Sequence, residues 1–128
     1  MFTLRLSAPA ERDIEDILAH SETEFGETAR LRYEALLTTA LTDLAIDPDR
    51  VGVRKRDELG PDVRSYHLLL ARDRSRGAHG IVRRPRHLVI FRVIAPDILD
   101  IGRVLHDAVE LANHMPPEYR APPDETEE

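Results

Sequence analysis

The sequence predicts an α+β domain: an N-terminal strand, an α-helical hairpin, then a mainly antiparallel three-strand run completing a small twisted sheet. Three observations carry this. Apolar residues recur at helical spacing through the first third of the chain. Short runs rich in Val, Ile and Leu dominate from Val63 to about Leu105. A stretch rich in Asp, Pro and Gly, residues 47–62, separates the two zones.

The elements follow in order. Thr3 to Leu6 reads as an opening strand. Ser7 is placed to cap a helix, with Pro9 tolerated in its first turn. Ala10, Ile14, Ile17 and Leu18 then share one helical face, with acids on the other. Gly26 falls where that helix should break. A second stripe follows at spacings of three and four: Ala29, Tyr33, Leu36, Leu37, Ala40, Leu41 and Leu44. Asp47-Pro48-Asp49 closes it, and a basic loop carries Arg50, Arg54, Lys55 and Arg56. Strands are expected at residues 64–68, 87–93 and 100–107. Between the first two, Asp73 to Gly80 is polar and glycine-containing, as an exposed loop or hairpin tip would be. Residues 1–115 are read as one domain and 116–128 as a disordered Pro-rich, acidic tail, in which nothing is expected to hold Tyr119.

Charge is segregated along the chain. Residues 1–49 hold 4 basic and 11 acidic side chains, residues 50–92 hold 12 and 4, and residues 93–128 hold 2 and 9. The net charge of −6 therefore conceals a +8 middle block, which could attract nucleic acid or an acidic protein segment, or simply be neutralised by the flanking acidic segments. With 41% apolar residues the chain can bury a modest core. Its longest apolar runs are too short to span a bilayer, and the start lacks the pattern of a secretion signal, so a cytoplasmic protein is expected. Zero cysteines exclude thiol chemistry and disulfides. The six histidines (20, 67, 79, 87, 106 and 114) include no close ligand pair on a predicted helix, so no metal is expected. Nucleotide-binding glycine motifs and serine elbows are missing, and no cofactor is expected.

Each predicted strand carries Arg or His where a structural strand usually places Thr, Val or a loose surface charge. Arg64, His87, Arg92, Arg103 and His106 are the candidate functional residues. The structural alternative is that Arg92 and Arg103 pair with acids such as Asp97 or Asp100, and that His106 is a satisfied structural histidine.

Four segments together resemble the ParE branch of the ParE/RelE superfamily, the toxin halves of bacterial toxin–antitoxin pairs: residues 6–17, Val63-Arg64-Ser65-Tyr66, residues 87–93, and residues 101–106. The resemblance spans roughly residues 3–115. It implies a helical hairpin on a small twisted sheet, and a cognate antitoxin that wraps the toxin. It also implies DNA gyrase as a target inhibited by binding; such inhibition needs a surface, and the strand positions Arg64, His87, Arg92, Arg103 and His106 are the expected target-binding residues. The related RelE branch cuts ribosome-bound messenger RNA. An endoribonuclease reading would use Arg64, Arg103 and His106, although the segment after His106 lacks the tyrosine and adjacent cation that the nuclease branch tends to carry. A third reading is a non-toxic remnant that binds antitoxin. Family members usually join the second and third strands tightly, whereas here residues 71–84 intervene and are expected to extend the hairpin as a basic finger or to form a surface insertion without a role. An uncovered sheet edge would favour a homodimer; a toxin–antitoxin hetero-oligomer is the other expected assembly.

Overall fold

The computed structural model describes residues 1–123. Strand β1 (Thr3–Leu6) leads into helix α1 (Ala8–Phe25). Ser7 caps α1 by accepting a hydrogen bond from the Ala10 amide at 3.0 Å, and its hydroxyl donates to the Gly102 carbonyl at 2.8 Å. One side chain thus starts the helix and ties it to the sheet. Gly26, at φ 95°, turns the chain into α2 (Glu27–Ile46), a conformation that costs glycine little. The strands that follow are β2 (Arg54–Lys55), β3 (Arg64–His67), β4 (His87–Ala95) and β5 (Ile98–His106).

The sheet runs in the order β1-β5-β4-β3-β2; β1 is parallel to β5 and the remaining pairs are antiparallel. β2 lies in what reads as a basic loop, because two residues are too few to show any alternation. β1 ends beside Ile101, and α1 takes over that edge: the Asp13 carboxylate accepts the Val104 amide at 2.9 Å.

Alternation along the strands builds two cores. On one face Tyr66, Val89, Phe91, Leu99, Ile101 and Val104 pack under Leu36, Leu37, Ala40 and Leu44 of α2. On the other, Leu88, Ile90 and Leu105 pack with Leu59, Val63 and Tyr119.

Two expectations are corrected here. The stretch at residues 71–84 is not a projecting finger. Short 3-10 turns at Leu68–Ala71 and Asp73–Ser75 fold back against α2, Leu68 and Ala71 are buried, and Arg74 pairs with Asp43. Burial of Ala71 and Ser75, with Arg74 paired to Asp43, holds residues 71–75 against the body, while residues 76–79 stay exposed in a turn closed by the Gly77–Gly80 bridge. Nor is Tyr119 unheld. The turn Pro117–Arg120 docks on the second sheet face and leaves Tyr119 2% exposed, its hydroxyl donating to the Asp100 carboxylate at 2.8 Å. The last part of the expected tail, residues 124–128, lies outside the described residues.

Candidate functional site

Antiparallel pairing of β4 with β5 sets His87 directly opposite His106, and their rings meet edge to face with centroids 5.3 Å apart. From α2, the Tyr33 hydroxyl shares a hydrogen bond of 2.6 Å with His87 Nδ1. Burial, followed by the neighbouring His106, pushes His87 down to about 4, so near neutral pH it is an uncharged imidazole. Burial also pushes the Tyr33 phenol up to about 12.

Asp107 organises the exposed side of this cluster. It accepts a two-pronged hydrogen bond from Arg86, at 3.1 and 2.9 Å, and another from His67 Nε2 at 2.9 Å. Arg86 and then His67 hold its carboxyl down to about 2. The Leu69 amide donates to His67 Nδ1, which places the His67 proton on Nε2, facing Asp107. The Ala108 amide likewise donates to His106 Nδ1, leaving His106 Nε2 as that ring's available nitrogen.

A cavity of about 470 Å³ opens beside the cluster, with Ile17, His20 and Phe25 of α1 on one wall and Arg84, Arg86, His87 and His106 on the other. A second cavity, of about 730 Å³, adjoins it and shares Ser21, Phe25, Tyr33 and Arg84. Among the described residues, no three His, Asp or Glu side chains are placed to hold a metal ion.

Of the five residues singled out from the sequence, the fold brings only His87 and His106 together here. Arg64 pairs with Asp49 at 2.8 Å and lies opposite Phe91, three residues along β3 from His67. Arg103 forms a two-pronged pair with Asp13 on α1, both bonds 2.7 Å long. Its partner is an acid, but not one across the sheet. Arg92 is 3% exposed on the second face, where it donates to the carbonyls of Ala121 and Glu118 and stacks 4.4 Å from the Tyr119 ring centre. Tyr33, His67, Arg86 and Asp107 were missed as site residues. Nothing in the α2 stripe distinguishes Tyr33 from an ordinary core aromatic.

A five-stranded mixed sheet with a helical hairpin on one face, and a polar cluster where its central strands meet that hairpin, defines an α+β class of the RelE/ParE type. The profile of a family described as the ParE toxin of the type II toxin-antitoxin system, parDE, matches residues 4–111. The chain belongs to that family, and an antitoxin is therefore its partner. Among curated proteins none matches. No helix among the described residues is long and apolar enough to cross a membrane.

Proposed function

We propose that this toxin arrests growth from the cytoplasm by binding DNA gyrase and blocking it, with the antitoxin as its neutraliser. One observation carries the reading beyond family membership. The basic middle block splits into paired and unpaired cations: Arg50, Arg56, Arg64, Arg72, Arg74 and Arg86 each meet a carboxylate. Arg54, Lys55, Arg76, Arg83 and Arg84 have no acidic partner among the described residues, and nor does the buried Arg92, whose bonds go to carbonyls. Arg54 and Lys55 are exposed on the edge strand β2. Free cations on an exposed edge suit binding to an enzyme engaged with DNA, and inhibition by binding requires a surface rather than a reactive group. Arg64 pairs in register with Lys55 of β2, and both members of the histidine pair are half-buried. Arg92 and Arg103 support this reading only through the segments they hold. The test is supercoiling of relaxed plasmid by gyrase and ATP with purified toxin. Lost supercoiling with accumulated linear DNA, relieved by the Arg54→Glu/Lys55→Glu variant, is expected; normal supercoiling at large molar excess refutes it.

The histidine pair favours a second reading, endoribonuclease activity. His106, with Nδ1 occupied by the Ala108 amide, lines a cavity that Arg84 and Arg86 also line, so an imidazole stands near guanidinium groups that could neutralise a phosphate. Of the nuclease set expected from sequence, Arg64 and Arg103 are paired with Asp49 and Asp13, so His106 would act here with Arg84 and Arg86 instead. Transcripts cut after induction, and left intact with His106→Ala, would establish this reading in place of the first.

A further inference from the structure

Residues 111–121 run as a strap over the second sheet face. The family match ends at residue 111, so family membership does not account for this strap. Among the described residues, no backbone–backbone hydrogen bond joins it to the sheet: the amides of Asn113, Tyr119 and Ala121 bond to Glu110, Pro116 and Glu118. It is held instead as a bound peptide is held, by anchoring side chains and by donors to its carbonyls. Pro116 and Tyr119, three residues apart, are its buried side chains, while Pro117, Glu118, Arg120 and Ala121 are exposed. Arg103 donates to the His114 carbonyl, and Arg92 to those of Glu118 and Ala121.

The socket that receives Tyr119 is made by the body of the domain. Gly102 of β5 leaves space for the ring, since a Cβ there would come within 2.7 Å of it; Gly60 leaves space for the Tyr119 carbonyl, which a Cβ would approach to 1.9 Å. Arg92 of β4 stacks 4.4 Å from the ring centre. Asp100 accepts the Tyr119 hydroxyl through one carboxylate oxygen at 2.8 Å, and its other oxygen pairs with Arg5 of β1 at 3.1 Å. Burial, then the Asp100 charge, pushes the phenol well above its ordinary value, which keeps it a donor. On the strap, Met115 (φ −74°, ψ 141°) and Pro116 (φ −57°, ψ 139°) take the polyproline conformation. Proline limits the entropy that such a segment loses on docking.

We propose that this socket is a peptide-recognition site for a Pro-Pro-x-Tyr segment, filled in cis by Pro116–Tyr119 and open to the same segment of a second copy when the strap lifts. The exposed link of residues 108–110 is the hinge. With no ladder to break, the strap opens without unfolding the sheet. Tethering supplies the cis segment at an effective concentration on the order of millimolar, so exchange between copies stays rare until the cis contact is weakened. This is independent of whether gyrase is the target.

The experiment adds a fluorescently labelled peptide of residues 111–123 to the full Tyr119→Ala chain, whose own strap cannot fill the socket, and reads anisotropy. Saturable binding is expected, roughly tenfold or more tighter than to the unsubstituted chain and weakened by a similar factor when the peptide itself carries Tyr119→Ala. Equal binding to both chains, no binding to either, or indifference to the peptide tyrosine overturns the proposal. If Tyr119→Ala does not fold alone, recovery of its circular dichroism on adding the peptide supports the proposal, and no recovery overturns it. Hydrogen exchange of the unsubstituted chain supplies a second readout. The Tyr119 and Ala121 amides are expected to exchange at least about tenfold faster than those of β4 and β5. Exchange at the rate of the central strands would show that the strap lifts only on global unfolding, and would overturn the proposal.

Discussion

The two faces of the sheet are built from alternate residues of the same strands, yet they are closed by different means. The helix face is sealed by a 20-residue helix and filled by Phe91, Val89, Ile101 and Leu44, all fully buried. The second face is closed by irregular chain: a 3-10 turn at Asp57–Leu59, residues 111–115 and the turn Pro117–Arg120. At its centre stands a polar assembly, Arg92 stacked on Tyr119 and Tyr119 bonded to Asp100. A regular element can close a face with apolar surface alone. Irregular chain leaves carbonyls to satisfy, and Arg92 satisfies those of Glu118 and Ala121.

If the helix face dominates stability, the largest effect belongs to Phe91→Ala. Phe91 is fully buried, and its truncation should cost about 3–5 kcal/mol and lower the thermal midpoint by roughly 10–20 °C. A loss no greater than that of Tyr119→Ala would break the comparison. Next comes Gly60→Ala. A Cβ there would sit 1.9 Å from the Tyr119 carbonyl oxygen, at a φ of 147°. The substitution should cost about 2–3 kcal/mol and free the Pro117–Arg120 turn, which trypsin would then cut after Arg120. The helix face should keep its hydrogen-exchange protection. In a Tyr119→Ala background the same change should cost much less, because both act on one contact.

Tyr119→Phe sharpens the comparison further. The ring stays on Arg92 while the Asp100 carboxylate loses a donor, for about 1 kcal/mol by denaturant titration. Gly102 lies beneath that ring, where a Cβ would come within 2.7 Å of it. A glycine inside a predicted strand signals a close approach, so the sequence itself carries a mark of the docked ring. The density of proline and acid after His114 outweighs that mark, because composition reports what a segment is made of and not what lies beneath it.

Much else was legible. Stripes at three and four spacing placed both helices, and Ser7, Gly26 and Pro48 marked their ends. The histidine pair could also have been counted. From the Ala95–Ile98 pair at the hairpin turn, stepping outward one residue on each strand arrives at His87 opposite His106. Register shifts at Ile90/Phe91 and Val93/Ala95 intervene, and they cancel. What no count could supply is Tyr33, because its place over His87 is set by how α2 crosses the sheet. The partners of Arg103 and Arg64 were equally hidden, since both carboxylates come from segments distant in sequence.

The smallest effect is one of pH, and it separates how the two faces handle a polar group. The second face keeps Arg92 charged and surrounds it with carbonyls. Toward the helix face, His87 stays neutral, its folded value about 4 against an ordinary 6.5. Between those values the unfolded chain binds the extra proton, so stability falls as pH drops from about 6.5 to 4 and is level above. Discounted for partial exposure, the loss is about 1–2 kcal/mol. Asp107, held at about 2 against 3.8, withdraws its own contribution only below that window. His87→Gln should flatten the upper part of the profile and leave the lower part in place. If the slope between 6.5 and 4 survives this substitution, the helix face is not neutralising its buried imidazole, and the contrast with Arg92 fails.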